Sequence, residues 1–323
     1  MSRSPLPPRF AEGAFGVAEA AGSGVGPGRL RGSDLITPHR GVRVPADCRA
    51  AVDVRGRARL LVPVMERSWV FSHTTALAIW GLPLPVGLER RAELHVSTGR
   101  GRGPRRDGVV AHRMTTIDAP TVLDGLRVVD PLTAWAQSGT VLGLDALVAV
   151  GDALCGDWSP HDAAKGLAPA RLAERVSLAA GSRGVARVRE ALDLVRPGVE
   201  SPKETELRLL LQRAGLPEFE LNVKTFDEAG RYLGKPDLRD LDHLLSIEYE
   251  GDEHRTDPQR FRRDIARRER FADAGWRTIR VTEADLHGRA ARELIARVAR
   301  CLTVRSPVEW SGTVRRTASG STS

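Results

Sequence analysis

The chain has 323 residues, 41% of them hydrophobic, which is enough to bury a core in each of two ordinary domains, and its net charge of +8 favours a polyanionic partner. Its three cysteines, Cys48, Cys155 and Cys301, are too scattered for a CxxC metal clip and too few for a closed disulfide framework, so they read as reduced thiols. No apolar run approaches a membrane span and the start MSRSPLPPRF lacks the apolar centre of a signal peptide, so a cytoplasmic protein with no membrane partner is expected.

Residues 1–33 are rich in Gly, Ala, Pro and Ser, and disorder is expected there. Residues 34–158 read as a smaller α+β domain. Residues 72–80 form a helical pattern with Ser72 as N-cap, closed by Gly81. Residues 93–97 alternate like a strand and residues 108–113 read as the next, joined by a basic glycine-rich loop. The arginines of that loop, Arg100, Arg102, Arg105 and Arg106, suit a solvated hairpin loop and a phosphate-gripping loop equally well. Helical patterns follow at residues 131–137 and 142–154. His73 opens its helix with no acidic or cysteine partner nearby in the sequence, which reads as capping or packing rather than chemistry.

Residues 159–197 read as a helical connector stopped by Pro197-Gly198, and the second domain, 198–303, begins after that punctuation. Ser201-Pro202-Lys203-Glu204 predicts a capping box, which gives Glu204 a structural role of its own. That helix runs to Gly215. A strand over residues 219–225, a turn at 227–230 and a returning strand over 231–237 come next. Residues 244–250 read as a buried strand, 258–274 as a helix, 276–281 as a strand and 283–302 as a closing helix. Residues 304–323 read as a disordered tail.

Strand alternation puts Glu248 and Glu250 on one face, and a hairpin connection brings Asp237 beside Glu248. Three converging carboxylates suit a hard cation such as Mg²⁺ or Mn²⁺ far better than Zn²⁺. The helix that follows is unusually basic, with nine arginines and four acids between Arg255 and Arg280. Arg260, Arg263, Arg267 and Arg270 recur as a stripe, which reads as phosphate contact in preference to a solvated face.

Pro236-Asp237 followed by Glu248-Tyr249-Glu250 resembles the PD-(D/E)XK nuclease signature. The longer string, from Ser201-Pro202-Lys203-Glu204-Thr205 through Asp264, Arg267 and Gly275-Trp276, resembles the uncharacterised family related to very-short-patch-repair endonucleases. The resemblance implies an α/β, restriction-endonuclease-like C-terminal core in the order helix, strand meander, helix, strand. It implies a metal-dependent DNA endonuclease, with Asp237, Glu248 and Glu250 as metal ligands, Glu204 facing the metal, and Glu250 or His254 activating water. One departure matters: the lysine of the signature is replaced by Glu250. The Ser72-His73 helix and the Val128-Val129-Asp130-Pro131 step make residues 34–158 similar to the C-terminal part of AbiEi-type abortive-infection antitoxins. Roles in DNA repair or in defence against phage and mobile elements follow, with a protein partner from a defence or toxin–antitoxin system. The alternative is a non-catalytic nucleic-acid-binding or antitoxin-like regulator whose nuclease core is degenerate. RNA in place of DNA, and the oligomeric state, stay open at this level.

Overall fold

In the computed structural model the chain forms two units, Met1–Pro197 and Gly198–Ser323, with the boundary at Pro197-Gly198. The described residues are 5–48, 53–89, 93–99, 103–114, 119–251 and 258–303, without the side chains of 258–264. The expected 304–323 tail lies outside them. The chain is mixed α/β throughout, and among the described residues no helix is long and apolar enough to cross a membrane.

The first unit opens with α1 (Pro8–Ala11), β1 (Phe15–Gly16), α2 (Val17–Gly22), β2 (Leu35–Ile36) and β3 (Val42–Pro45). This corrects, for residues 5–33, the expectation of disorder over residues 1–33. Phe10, Phe15, Ala20, Val25 and Leu30 form an apolar cluster, and β1 and β2 both pair antiparallel with β3. The apolar residues are sparse and without period, so composition hides them. Pairing with residues 42–45 gathers them.

Next come α3 (Val54–Leu61), β4 (Trp69–Phe71), α4 (His73–Ile79), α5 (Val86–Glu89), β5 (Leu94–Thr98), β6 (Val109–Arg113), β7 (Thr121–Leu123) and β8 (Leu126–Val128). Five of these strands make one mixed sheet in the order β6-β5-β4-β8-β7, with β5 and β6 parallel. Asp53 caps α3 by accepting the Gly56 N–H at 2.6 Å. The helices α6 (Pro131–Ser138), α7 (Leu144–Cys155), α8 (Pro169–Leu178) and α9 (Val185–Leu194) complete the unit. Two of the buried indoles are satisfied, Trp80 donating to the Val129 carbonyl at 2.8 Å and Trp135 to that of Leu147 at 2.9 Å.

The connector belongs to this first unit, which is therefore the larger one and not the smaller domain expected. Gly139, at the end of α6, lies against Gly184, at the start of α9. A Cβ built on Gly139 would stand 2.6 Å from the Gly184 carbonyl oxygen, and Gly184 itself has φ +86°. Only two glycines allow these helix ends to meet so closely.

The second unit starts with α10 (Pro202–Arg213), then β9 (Glu220–Leu221), β10 (Thr225–Phe226), β11 (Tyr232–Gly234), β12 (Leu238–Asp240) and β13 (Leu245–Tyr249). It continues with α11 (Pro258–Asp273), β14 (Arg277–Val281) and α12 (Gly288–Thr303). The order helix, strands, helix, strand is the expected one. The single hairpin predicted over residues 219–237 is instead broken in two: β10 pairs with β11, while β9 pairs with β12. Asn222, with φ +50°, makes the break and donates its N–H to the Asp237 carbonyl at 3.0 Å. The main sheet has the order β14-β13-β12-β9, antiparallel except for β13 and β14, which α11 connects in parallel. Leu207, Leu211, Leu238, Leu245, Ile247 and Leu294 lie in the core between this sheet and the helices α10 and α12.

Candidate functional site

The second unit builds its candidate site at the start of the β12–β13 pair. Leu238 stands opposite Ile247 in an antiparallel register, so the preceding Asp237 falls opposite Glu248, as the hairpin argument expects. Asp237 Oδ2 accepts the Tyr249 N–H at 2.7 Å. Burial raises the Asp237 carboxyl to about 6, with the negative charges of Glu248 and Glu200 adding to the rise and Arg267 opposing it.

Glu204 reaches the same place from α10. Ser201 accepts the Glu204 N–H at 3.2 Å, the first half of the predicted capping box. The Glu204 carboxylate turns elsewhere: its Oε2 accepts from the Glu200 N–H at 2.8 Å and from Asn222 Nδ2 at 2.6 Å. Buried at 7% exposure, its carboxyl is raised by desolvation, and the charge of Asp237 contributes. Glu204 is thus both a helix-start residue and a neighbour of the acidic pair.

Two cations complete the setting. Lys235, two residues before Asp237, pairs with Glu200. Arg267 reaches down from α11 to Glu248 Oε1 at 2.8 Å and to the Lys235 carbonyl at 2.9 Å. This revises the expected arginine stripe, because Arg267 points into the unit and neutralises an acid. Arg270 also turns inward, toward the Leu233 carbonyl at 3.4 Å. The side chains of Arg260 and Arg263, and the whole of His254, lie outside the described residues. Glu250 is held away from the pair by Arg280, with Arg268 at 3.6 Å. Tyr249 takes the other face of β13 and donates its hydroxyl to Glu283 at 3.0 Å.

Asp237 and Glu248 fit a hard divalent ion. Their oxygen donors are of the right kind, and a cation between them would offset the burial and the Glu248 charge that raise the Asp237 carboxyl. Glu250 does not fit as a third ligand while Arg280 and Arg268 hold it.

The first unit contains a site that the sequence does not announce. Among the described residues, His73, His95 and His112 are the one trio of histidine, cysteine, aspartate or glutamate whose ligand atoms all lie within 4.8 Å of one another. Glu204, Asp237 and Glu248 do not close to that spacing as a set. His73, taken from the sequence as a capping or packing residue, stacks on His112 at 3.6 Å between ring centroids. Its partners sit 22 and 39 positions away, so no local motif marks them. The signal available was the parallel pairing of β5 and β6, which places His95 opposite Val110 and His112 opposite Ser97, two residues along.

No protein-family model matches the chain, and no solved structure matches it significantly. Two uncharacterised proteins of Mycobacterium tuberculosis, from strains CDC 1551 / Oshkosh and H37Rv, are each 32% identical over 122 residues. The match covers 38% of this chain and 44% of each relative, so the chain spans less than half the length of the curated relatives it matches.

Proposed function

We propose that the second unit is a divalent-metal-dependent nuclease that hydrolyses phosphodiester bonds in DNA. The observation that carries this reading is the part-buried Asp237 facing Glu248 across β12 and β13, with Lys235 and Arg267 beside them. Asp237 and Glu248 would hold Mg²⁺ or Mn²⁺, which when bound supplies Lewis-acid polarisation of the phosphoryl oxygen and a more acidic attacking water. The Tyr249 N–H fixes the orientation of the Asp237 carboxylate. Glu204, tied to Asn222 and the Glu200 backbone, anchors the strand break that positions Asp237. Lys235, a cation two residues from Asp237 that pairs with Glu200, takes the part left open by the missing signature lysine and can stabilise negative charge on the phosphoryl group. The net charge of +8 supports a polyanionic substrate. A role in DNA repair or in defence against phage and mobile elements, and a toxin–antitoxin partner, rest on the family resemblance and belong to the same proposal.

A second reading has one observation of its own. Arg267 already neutralises Glu248, and Arg280 holds Glu250, as in a degenerate core serving a DNA-binding regulator. Incubation of the full chain with supercoiled plasmid separates the two. Nicking with Mg²⁺ or Mn²⁺ that chelator abolishes supports the nuclease. Salt-sensitive DNA binding with no cleavage at any divalent concentration supports the regulator.

A further inference from the structure

The sheet of the first unit brings three imidazoles into one buried cluster. His73 and His95 are 6% and 8% exposed, and His112 is half-buried. His95 Nδ1 and His112 Nε2 are 2.8 Å apart, and the three rings lie nearly parallel, with interplanar angles of 17° to 24°. The trio lines a cavity of about 840 Å³ whose wall also includes Glu93, Asp130 and Gln137.

The positions are held from outside the rings. Ser72 Oγ stands 3.0 Å from His73 Nδ1, and the His95 N–H donates to Thr75 Oγ1 at 2.8 Å. His73 takes φ +50°, a left-handed conformation that a β-carbon disfavours, at the first residue of α4. Such strain at a helix start persists where the surroundings fix it, and here the His73 N–H is directed at Gln137 Oε1, 3.3 Å away. Packing alone asks only for apolar side chains at three such sites. Three imidazoles put lone pairs and N–H groups into a space where an aliphatic trio would be dry.

We propose that His73, His95 and His112 form a three-histidine site for a borderline divalent transition ion of the Zn²⁺ class, with its remaining coordination position open to the cavity. Three neutral imidazoles with one vacant position is a ligand set that suits Zn²⁺ and Co²⁺ and disfavours Mg²⁺. Burial and the neighbouring rings hold His73 at about 2 and His95 at about 4, so both are in the neutral form that ligates. Zn–N bonds of about 2.0–2.1 Å in a tetrahedron put the ligating nitrogens about 3.3 Å apart. The His95–His112 pair is already within that spacing, and a ligand atom of His73 lies within 4.8 Å of both. The proton that His95 and His112 share without metal moves to the outer nitrogen of its own ring, so the ligands keep their charge when the ion binds. This ion is separate from the one proposed for Asp237 and Glu248, which have oxygen donors.

The test is titration of chelator-treated full-length protein with Co²⁺ and then Zn²⁺, followed by visible absorption and calorimetry. One equivalent of Co²⁺ with a tetrahedral or five-coordinate spectrum, displaced by Zn²⁺, is expected. His95→Gln and the half-exposed His112→Gln, each checked for folding by circular dichroism, are expected to weaken it about 100-fold or more. Absence of the spectrum in the wild-type protein overturns the proposal. So does undiminished binding by folded His112→Gln, which would mark an adventitious surface site.

Discussion

Asp237 accepts a 2.7 Å hydrogen bond from the Tyr249 N–H, so a part-buried carboxylate is fastened to the strand that carries Glu248 one residue earlier. That bond favours the charged form of Asp237, yet burial and the charge of Glu248 outweigh it and the carboxyl titrates near 6. A carboxyl raised in the folded chain contributes stability below its unfolded value of 3.8 and loses it as pH rises through 6.

Asp237→Asn tests this balance. Without divalent metal, the mutant is expected to match or exceed the wild type in stability above pH 7, by on the order of 1–2 kcal/mol, and the gain should vanish toward pH 4. Added Mg²⁺ should raise the wild-type melting temperature at pH 7.5 but not at pH 5, and should not affect the mutant. Thermal melts across this range, with and without Mg²⁺, check both. A mutant that is less stable at every pH would show that the charge of Asp237 supports the fold.

Arg267→Ala removes the cation from Glu248 and is expected to destabilise the second unit by about 1–3 kcal/mol, since the pair is only partly buried, with side chains 29% and 19% exposed. Glu248→Gln in the same chain should recover part of that loss, because the uncompensated acid is then gone. A double-mutant cycle in urea measures the coupling. Additive losses would show that Arg267 acts through packing on Phe271, whose ring centroid lies 5.8 Å from its guanidinium.

Gly234→Ala places a Cβ 2.6 Å from Arg267 Nε and 2.9 Å from Phe271 Cε2. Arg267 would have to retreat from Glu248, and the ring of Phe271 is locked against Trp276 at 5.6 Å. A loss of about 1–3 kcal/mol is expected. Denaturant melts beside those of Arg267→Ala are the check, because the two changes should be less than additive.

Glu250→Gln breaks the pairing with Arg280 and Arg268 and should destabilise the fold by about 1 kcal/mol or less, as these side chains are 31% to 46% exposed. Glu250→Lys gathers three cations and should cost more. The melting temperatures of the two variants decide: a rise with Glu250→Gln would mean that Glu250 repels Asp237 and Glu248 instead of serving Arg280.

Asp237 and Glu248 were legible because a strand has a period of two and an antiparallel return fixes which residues face each other. The start of the second unit was expected at Pro197-Gly198, which interrupts a helical pattern, whereas the joining of residues 159–197 to the first unit had no local signal. Arg267 was misread, since a stripe on a helix gives the spacing of side chains but not the side that meets the sheet. Phe10, Phe15 and Leu30 escaped for want of any local period, their order coming from pairing with residues 42–45. His73, His95 and His112 escaped for the same reason at longer range, through the β5–β6 pairing.

The most direct test of the central claim is a side-by-side cleavage assay of wild-type and Asp237→Asn full-length protein on supercoiled plasmid, with Mg²⁺, with Mn²⁺ and with chelator. The account predicts metal-dependent nicking by the wild type and a loss of about 100-fold or more in the folded mutant. Equal nicking by the two proteins, or none by the wild type at any divalent concentration, would contradict it.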